Sequence, residues 1–140
     1  MTPEIIKQVR DSFKLVEPVA DEAAAAFYHR LFELDPSLRP MFKGDIKEQG
    51  RKLMAMLTIA VRSLDDLPKL VPALESLAVR HVNYGVKDSH YQTVGAALLS
   101  TLQNKLGDHF TDDIREAWTT VYSTMTTVMI GAVSAKAGAK

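Results

Sequence analysis

Residues 67–85 read LPKLVPALESLAVRHVNYG, and the placing of Leu70, Leu74, Leu77 and His81 decides the class of fold. These four positions fall on one face of a helix, whereas a strand would need polar and apolar residues in strict alternation. Gly85 stands where a left-handed residue would stop that helix. Upstream, Gln49, Leu53, Leu57, Val61 and Leu64 form another helical stripe, ended by Asp65-Asp66-Leu67-Pro68. Before it come a loop, Lys43-Gly44-Asp45, and a turn-rich corner over Asp35–Phe42 containing two prolines. Ala20, Ala24, Phe27, Leu31 and Leu34 make a third stripe. At the start, Thr2-Pro3-Glu4 reads as cap, first-turn proline and acidic first turn, leading into Ile5, Val9, Phe13 and Val16.

Downstream, Tyr91, Val94, Leu98, Leu102 and Leu106 run to Gly107, a second helix stop. Thr111 caps a last helix whose stripe is Ile114, Trp118, Val121, Met125, Val128 and Ala132, with Asp112 and Asp113 near its positive end. All six prolines lie at or before Pro72, so long helices can run beyond it. No strand pattern competes. The expectation is an all-α domain of about six long helices over residues 1–134, with a short Ala/Gly/Lys-rich tail, 135–140, that frays.

Composition narrows the function. The 140 residues are 46% hydrophobic and 24% charged, enough for one core without covalent staples. The absence of cysteine excludes disulfides, thiolate nucleophiles, iron–sulfur clusters and cysteine-bearing zinc sites. Lys+Arg and Asp+Glu both number 17, and a neutral chain gains little from a polyphosphate, which argues against nucleic acid. Glu4, Lys7 and Arg10 interrupt the first ten residues, so no signal peptide is visible there, and no apolar stretch is long enough to span a bilayer. Cytoplasmic localisation without stable membrane association is the expectation.

Three polar residues lie on or beside apolar stripes. His81 reads either as a core histidine bonded to a backbone carbonyl or as a metal or haem ligand. With no second histidine at helical spacing and no cysteine, a protein-only metal cage is hard to build, whereas a macrocycle needs only one axial ligand from the protein. Gln49 reads either as a solvated first-turn residue or as an amide projecting into a pocket. Tyr28 either packs its ring with the hydroxyl in water or buries the hydroxyl against a partner, which a ligand could supply. His29, His90 and His109 have polar neighbours and read as surface residues. No phosphate loop, Ser/His/Asp set or paired carboxylate stands out.

In order and spacing, several short pieces together resemble a globin over about residues 3–133. They are Phe27-Tyr28-His29-Arg30-Leu31-Phe32, PSLRPMF (36–42), QGRKL (49–53), Val79-Arg80-His81 with Gly85-Val86, His90-Tyr91 with Val94-Gly95, and Ala117-Trp118 with Tyr122. The chain looks most like bacterial single-domain globins related to the haem domain of flavohaemoglobins, with some likeness to neuroglobin. The resemblance implies a globin fold, a helical sandwich around a b-type haem. It makes His81 the proximal iron ligand and Phe42 the ring stacked on the haem. Tyr28, Gln49 and Leu53 become the distal pocket facing a bound gas. Tyr91 becomes the proximal-side tyrosine, Val86, Val94 and Leu98 haem contacts, and Lys52 and Arg80 partners for the propionates.

Two departures carry consequences. Gln49 replaces the distal histidine of many globins. Val133 stands where flavohaemoglobins place a glutamate, so His81 is expected to bond a backbone carbonyl, and peroxidase-like O–O cleavage is expected to be poor. No flavin or nicotinamide domain follows Lys140, so any reductase is expected to be a separate molecule. The resemblance implies reversible binding of O2, CO and NO, for oxygen storage or transport. NO dioxygenation is an alternative, and a haem-based sensor or haem-free interaction module a third.

Overall fold

The computed structural model of the chain describes residues 2–42, 44–83 and 87–138, and of residues 83, 88 and 133–138 the backbone only. Helix α1 (Pro3–Val16) begins where the Thr2 hydroxyl accepts the Ile5 amide at 3.2 Å, with proline in the first turn, as the opening tripeptide predicts. It buries Val9, Phe13 and Val16. After a 3-10 turn at Glu17–Val19, α2 (Ala20–Leu34) buries Ala23, Ala24, Phe27, Tyr28 and Leu31. The turn-rich corner is a 3-10 helix, Pro36–Met41, capped by the Asp35 carboxylate on the Ser37 amide at 3.1 Å.

Asp45 caps α3 (Ile46–Arg62) through the Lys47 amide at 2.9 Å, which places Gln49 in the first turn. Helix α4 spans Leu67–Asn83 and holds Pro72 in its interior. Proline there forfeits one helical hydrogen bond, and the helix continues because Pro72 is exposed while Leu70 and Leu74 anchor the opposite face. Helix α5 (Asp88–Leu106) ends at Gly107, the stop anticipated there, whose φ of +53° is a backbone conformation that glycine adopts readily. Gly85 and Val86 lie outside the described residues. A 3-10 turn, Gly107–His109, leads to α6 (Asp112–Gly138). Among the described residues there is no strand, and no helix is long and apolar enough to cross a membrane.

Helix α2 lies at the centre, against both α5 and α3, while α4 packs chiefly on α6. The core consequently falls into two pieces. The larger joins α1, α2, α3, α5 and α6 around Phe13, Phe27, Leu31, Leu102 and Trp118. The smaller joins the end of α3 to α4 and α6 around Ala60, Leu70, Leu74, Ala78 and Met129. Arg10 ties α1 to the end of α3: its guanidinium donates to the Val61 and Arg62 carbonyls at 3.1 and 2.8 Å, and to Asp65 at 3.0 Å. These bonds satisfy carbonyls that the helix end would otherwise leave without a donor.

One buried polar pair stitches α1 to α6. The Trp118 indole N–H donates to the Ser12 hydroxyl at 2.8 Å, and that hydroxyl donates in turn to the Gln8 carbonyl at 2.8 Å. Both residues are buried. Ser12→Ala strands the indole N–H and is expected to cost about 1–3 kcal/mol in urea unfolding. An unchanged midpoint would show that the indole has another acceptor.

Candidate functional site

The last turn of α4 carries His81, half-buried on the side facing α5. Its Nδ1 lies 2.9 Å from the Leu77 carbonyl one turn back. A carbonyl can only accept, so Nδ1 holds the proton and Nε2 is the lone-pair nitrogen. Burial moves the imidazole below its ordinary pKa; the Leu77 bond opposes that and the Arg80 charge adds to it. The neutral ring, protonated at Nδ1, is therefore the favoured form. The bonded-histidine and ligand readings are thus compatible, because the carbonyl occupies only Nδ1. The carbonyl bond is the one anticipated from the sequence; the Val133 side chain lies outside the description.

Tyr91, in the first turn of α5, stacks on this imidazole with ring centroids 6.2 Å apart and planes 9° from parallel. Its carbonyl accepts the Tyr122 hydroxyl of α6 at 2.6 Å. Burial raises the Tyr122 hydroxyl to about 12, so it remains a donor. Gly95 makes this approach possible, since a Cβ there would stand 2.8 Å from Tyr122 Cε2. Sequence reasoning quoted Gly95 and Tyr122 but gave neither a role. The available signal was a glycine one turn after Tyr91, in a stripe otherwise made of larger residues.

On the other side, Tyr28 is buried in an aromatic cage. Phe27, Phe32 and Phe42 lie 5.1, 6.0 and 5.3 Å from its centroid. Phe42 also meets Phe32 edge-on at 5.4 Å, and Arg39 covers the Phe32 ring at 5.2 Å. The Tyr28 hydroxyl donates to the Gln49 main-chain carbonyl at 3.3 Å. Burial pushes this phenol up to about 12, so it too stays protonated. The structure thus brings Tyr28 beside Phe42 and onto the main chain of Gln49, through that residue's carbonyl rather than its side-chain amide. Leu53 is half-buried and borders, with Phe27 and the more deeply buried Leu98, an apolar cavity of about 20 Å3. Val94 is half-buried against the larger core. Lys52 and Arg80 are exposed. His29 and His109 are exposed as anticipated, while His90 is partly buried and accepts the Lys87 amide at 3.0 Å through Nδ1.

Several features suit a flat cofactor. Among the described residues α3 and α4 do not pack broadly on one another, although each packs firmly elsewhere. Phe42, Leu53, Leu77 and Val94 keep part of their apolar surface uncovered, beside a core divided in two. No group of three His, Asp or Glu side chains gathers as a metal cage among the described residues. A lone imidazole held at Nδ1 suits a macrocyclic cofactor, which would need only one ligand from the protein. The residues present therefore fit a haem.

Fold and site together define an all-helical protein in which, among the described residues, a half-buried imidazole is held by a main-chain carbonyl and a buried phenol sits in an aromatic cage. A family model described as Globin matches residues 25–129. The chain belongs to the globin family, and its fold is the globin fold; membership implies a haem cofactor. Similar proteins include a flavohemoprotein of Vibrio cholerae serotype O1, 31% identical over 133 residues, which cover 93% of this chain and 34% of that protein. A flavohemoprotein of Chromobacterium violaceum is 33% identical over 132 residues, covering 89% of this chain and 33% of that protein. The chain thus spans about a third of the length of these relatives. Among solved structures, a bacterial globin from Campylobacter jejuni superposes with a TM-score of 0.86 at 27% identity, covering 99% of this chain and 100% of that one.

Proposed function

We propose that this chain reversibly binds dioxygen, and also CO and NO, at a b-type haem held between α3 and α4, and that it serves oxygen binding, storage or transport in the cytoplasm. The observation that carries the reading is the pairing of a half-buried His81, held at Nδ1 by the Leu77 carbonyl, with a buried and protonated Tyr28 in its aromatic cage. Haem supplies the iron that takes up the gas. His81 is its ligand, and the Leu77 carbonyl fixes that ring's tautomer and orientation. Phe42, Leu53, Val94 and Leu98 supply apolar contact that excludes water, Tyr91 orients the imidazole face, and Lys52 and Arg80 serve the propionates from the solvent side. The Tyr28 hydroxyl and the Gln49 side-chain amide would donate hydrogen bonds to dioxygen in the pocket, worth about 1.5–3 kcal/mol when charge-assisted.

The flavohemoprotein relatives favour a second reading, dioxygenation of NO to nitrate with electrons from a separate reductase. Two measurements test the assignment. The purified protein should show a Soret band that shifts reversibly as oxygen is admitted and removed. Sustained NO consumption with a reductase and NADH would select the second reading, and loss of NO only in the first turnover would select the first. Failure to take up haem would overturn both.

A further inference from the structure

Tyr28 is held from two directions that belong to different helices. Its ring is fixed on α2 by the Phe27, Phe32 and Phe42 cage, while the acceptor of its hydroxyl, the Gln49 carbonyl, belongs to α3. At 3.3 Å that bond is already long, so a few tenths of an ångström between the helices decides whether it exists. What sets the spacing is the residue after Gln49. Gly50 is buried where α2 and α3 cross, and a Cβ there would stand 2.9 Å from Ala24 Cβ and 3.9 Å from Tyr28 Cε2. The Ala24 methyl has no rotamer into which to retreat, so any side chain at position 50 must part the helices.

We propose that Gly50, with Ala24 opposite, is the positioning residue that divides the Tyr28 hydroxyl between the Gln49 carbonyl and a gas in the pocket. The inference rests on the proposed gas-binding reading. A phenol has a single proton to donate, so every fraction of time spent on the main chain is withheld from the ligand. Close helix approach keeps the donor partly held; wider spacing releases it to the gas.

Gly50→Ala should part the helices, free the hydroxyl and slow dioxygen release about fivefold, the worth of one ordinary hydrogen bond. CO release should stay within about twofold, since CO carries less charge to attract a donor. The C–O stretching frequency of the CO complex, which falls as a donor approaches the ligand, should move down. Ala24→Gly removes the opposing methyl, lets the helices close, and should shift both readouts the other way. The swapped double variant Ala24→Gly/Gly50→Ala should return them toward wild type. In a Tyr28→Phe background, Gly50→Ala should leave dioxygen release unchanged. An effect of Gly50→Ala that persists without the tyrosine hydroxyl, or that the swap does not reverse, overturns the assignment. If Gly50→Ala does not fold, Ala24→Gly alone decides: unchanged or slower dioxygen release overturns the inference. Should Tyr28→Phe alter release while the crossing variants do not, the gas-binding reading stands and only this inference falls.

Discussion

His81→Gly should abolish stable haem retention, and millimolar imidazole should restore a wild-type-like Soret spectrum. The expectation follows from the tautomer: Nδ1 is engaged by the Leu77 carbonyl, so the ligating role falls to Nε2 alone. Removing the side chain takes away the ligand and also opens a space beneath the Tyr91 ring, with the shape of a free imidazole, since Tyr91 stacks on His81 at 6.2 Å. Spectral titration of the purified variant measures the effect. A variant retaining the wild-type spectrum without added imidazole would place the iron ligand elsewhere.

The second large effect belongs to Tyr28. Tyr28→Phe removes one hydroxyl from a cage that the phenylalanine ring still fills, and dioxygen should leave about ten- to hundredfold faster. CO should respond much less, and stopped-flow displacement separates the two gases. Equal changes for both would indicate altered space and argue against a lost donor. The pH dependence follows from burial, which pushes the hydroxyl up to about 12. Dioxygen release should stay flat through the physiological range, accelerating only as the proton is lost near that value. Stability has the same sign. Because the folded-state value exceeds the ordinary 10.0, the folded chain binds this proton more tightly than the unfolded one. The associated stabilisation is complete below about pH 10 and is lost as pH climbs through about 12.

Much of this arrangement was legible in the chain itself, for a physical reason. Helical periodicity and caps are local, so the stripe ending at His81, the Thr2-Pro3 start and the Gly107 stop could each be read from a dozen neighbours. The interior Pro72 could not, because tertiary anchoring by Leu70 and Leu74 overrides a local breaker. The family resemblance supplied the roles of Tyr28, Gln49, Phe42 and His81, while spacing alone left each with an ordinary structural alternative. The distant contacts stayed hidden. Trp118 meets Ser12 across 106 positions, Arg10 meets the end of α3 across more than 50, and Tyr122 reaches the Tyr91 carbonyl across 31. Nothing in a linear pattern says which serine, carbonyl or glycine a side chain will find.

The division of the core has a consequence for cooperativity. The smaller cluster, held by α4 against α6 and the tail of α3, contains few large side chains. Opening it exposes much less apolar surface than melting the body built on Phe13, Phe27 and Trp118. Helix α4 can therefore detach as a sub-global unit, at a free energy below that of complete unfolding. A haem held between α3 and α4, as proposed, would link the two units: its binding energy would have to be surrendered before α4 could leave. Loading the protein would thus join two separable units into a single cooperative body, and amide exchange along α4 would report the change.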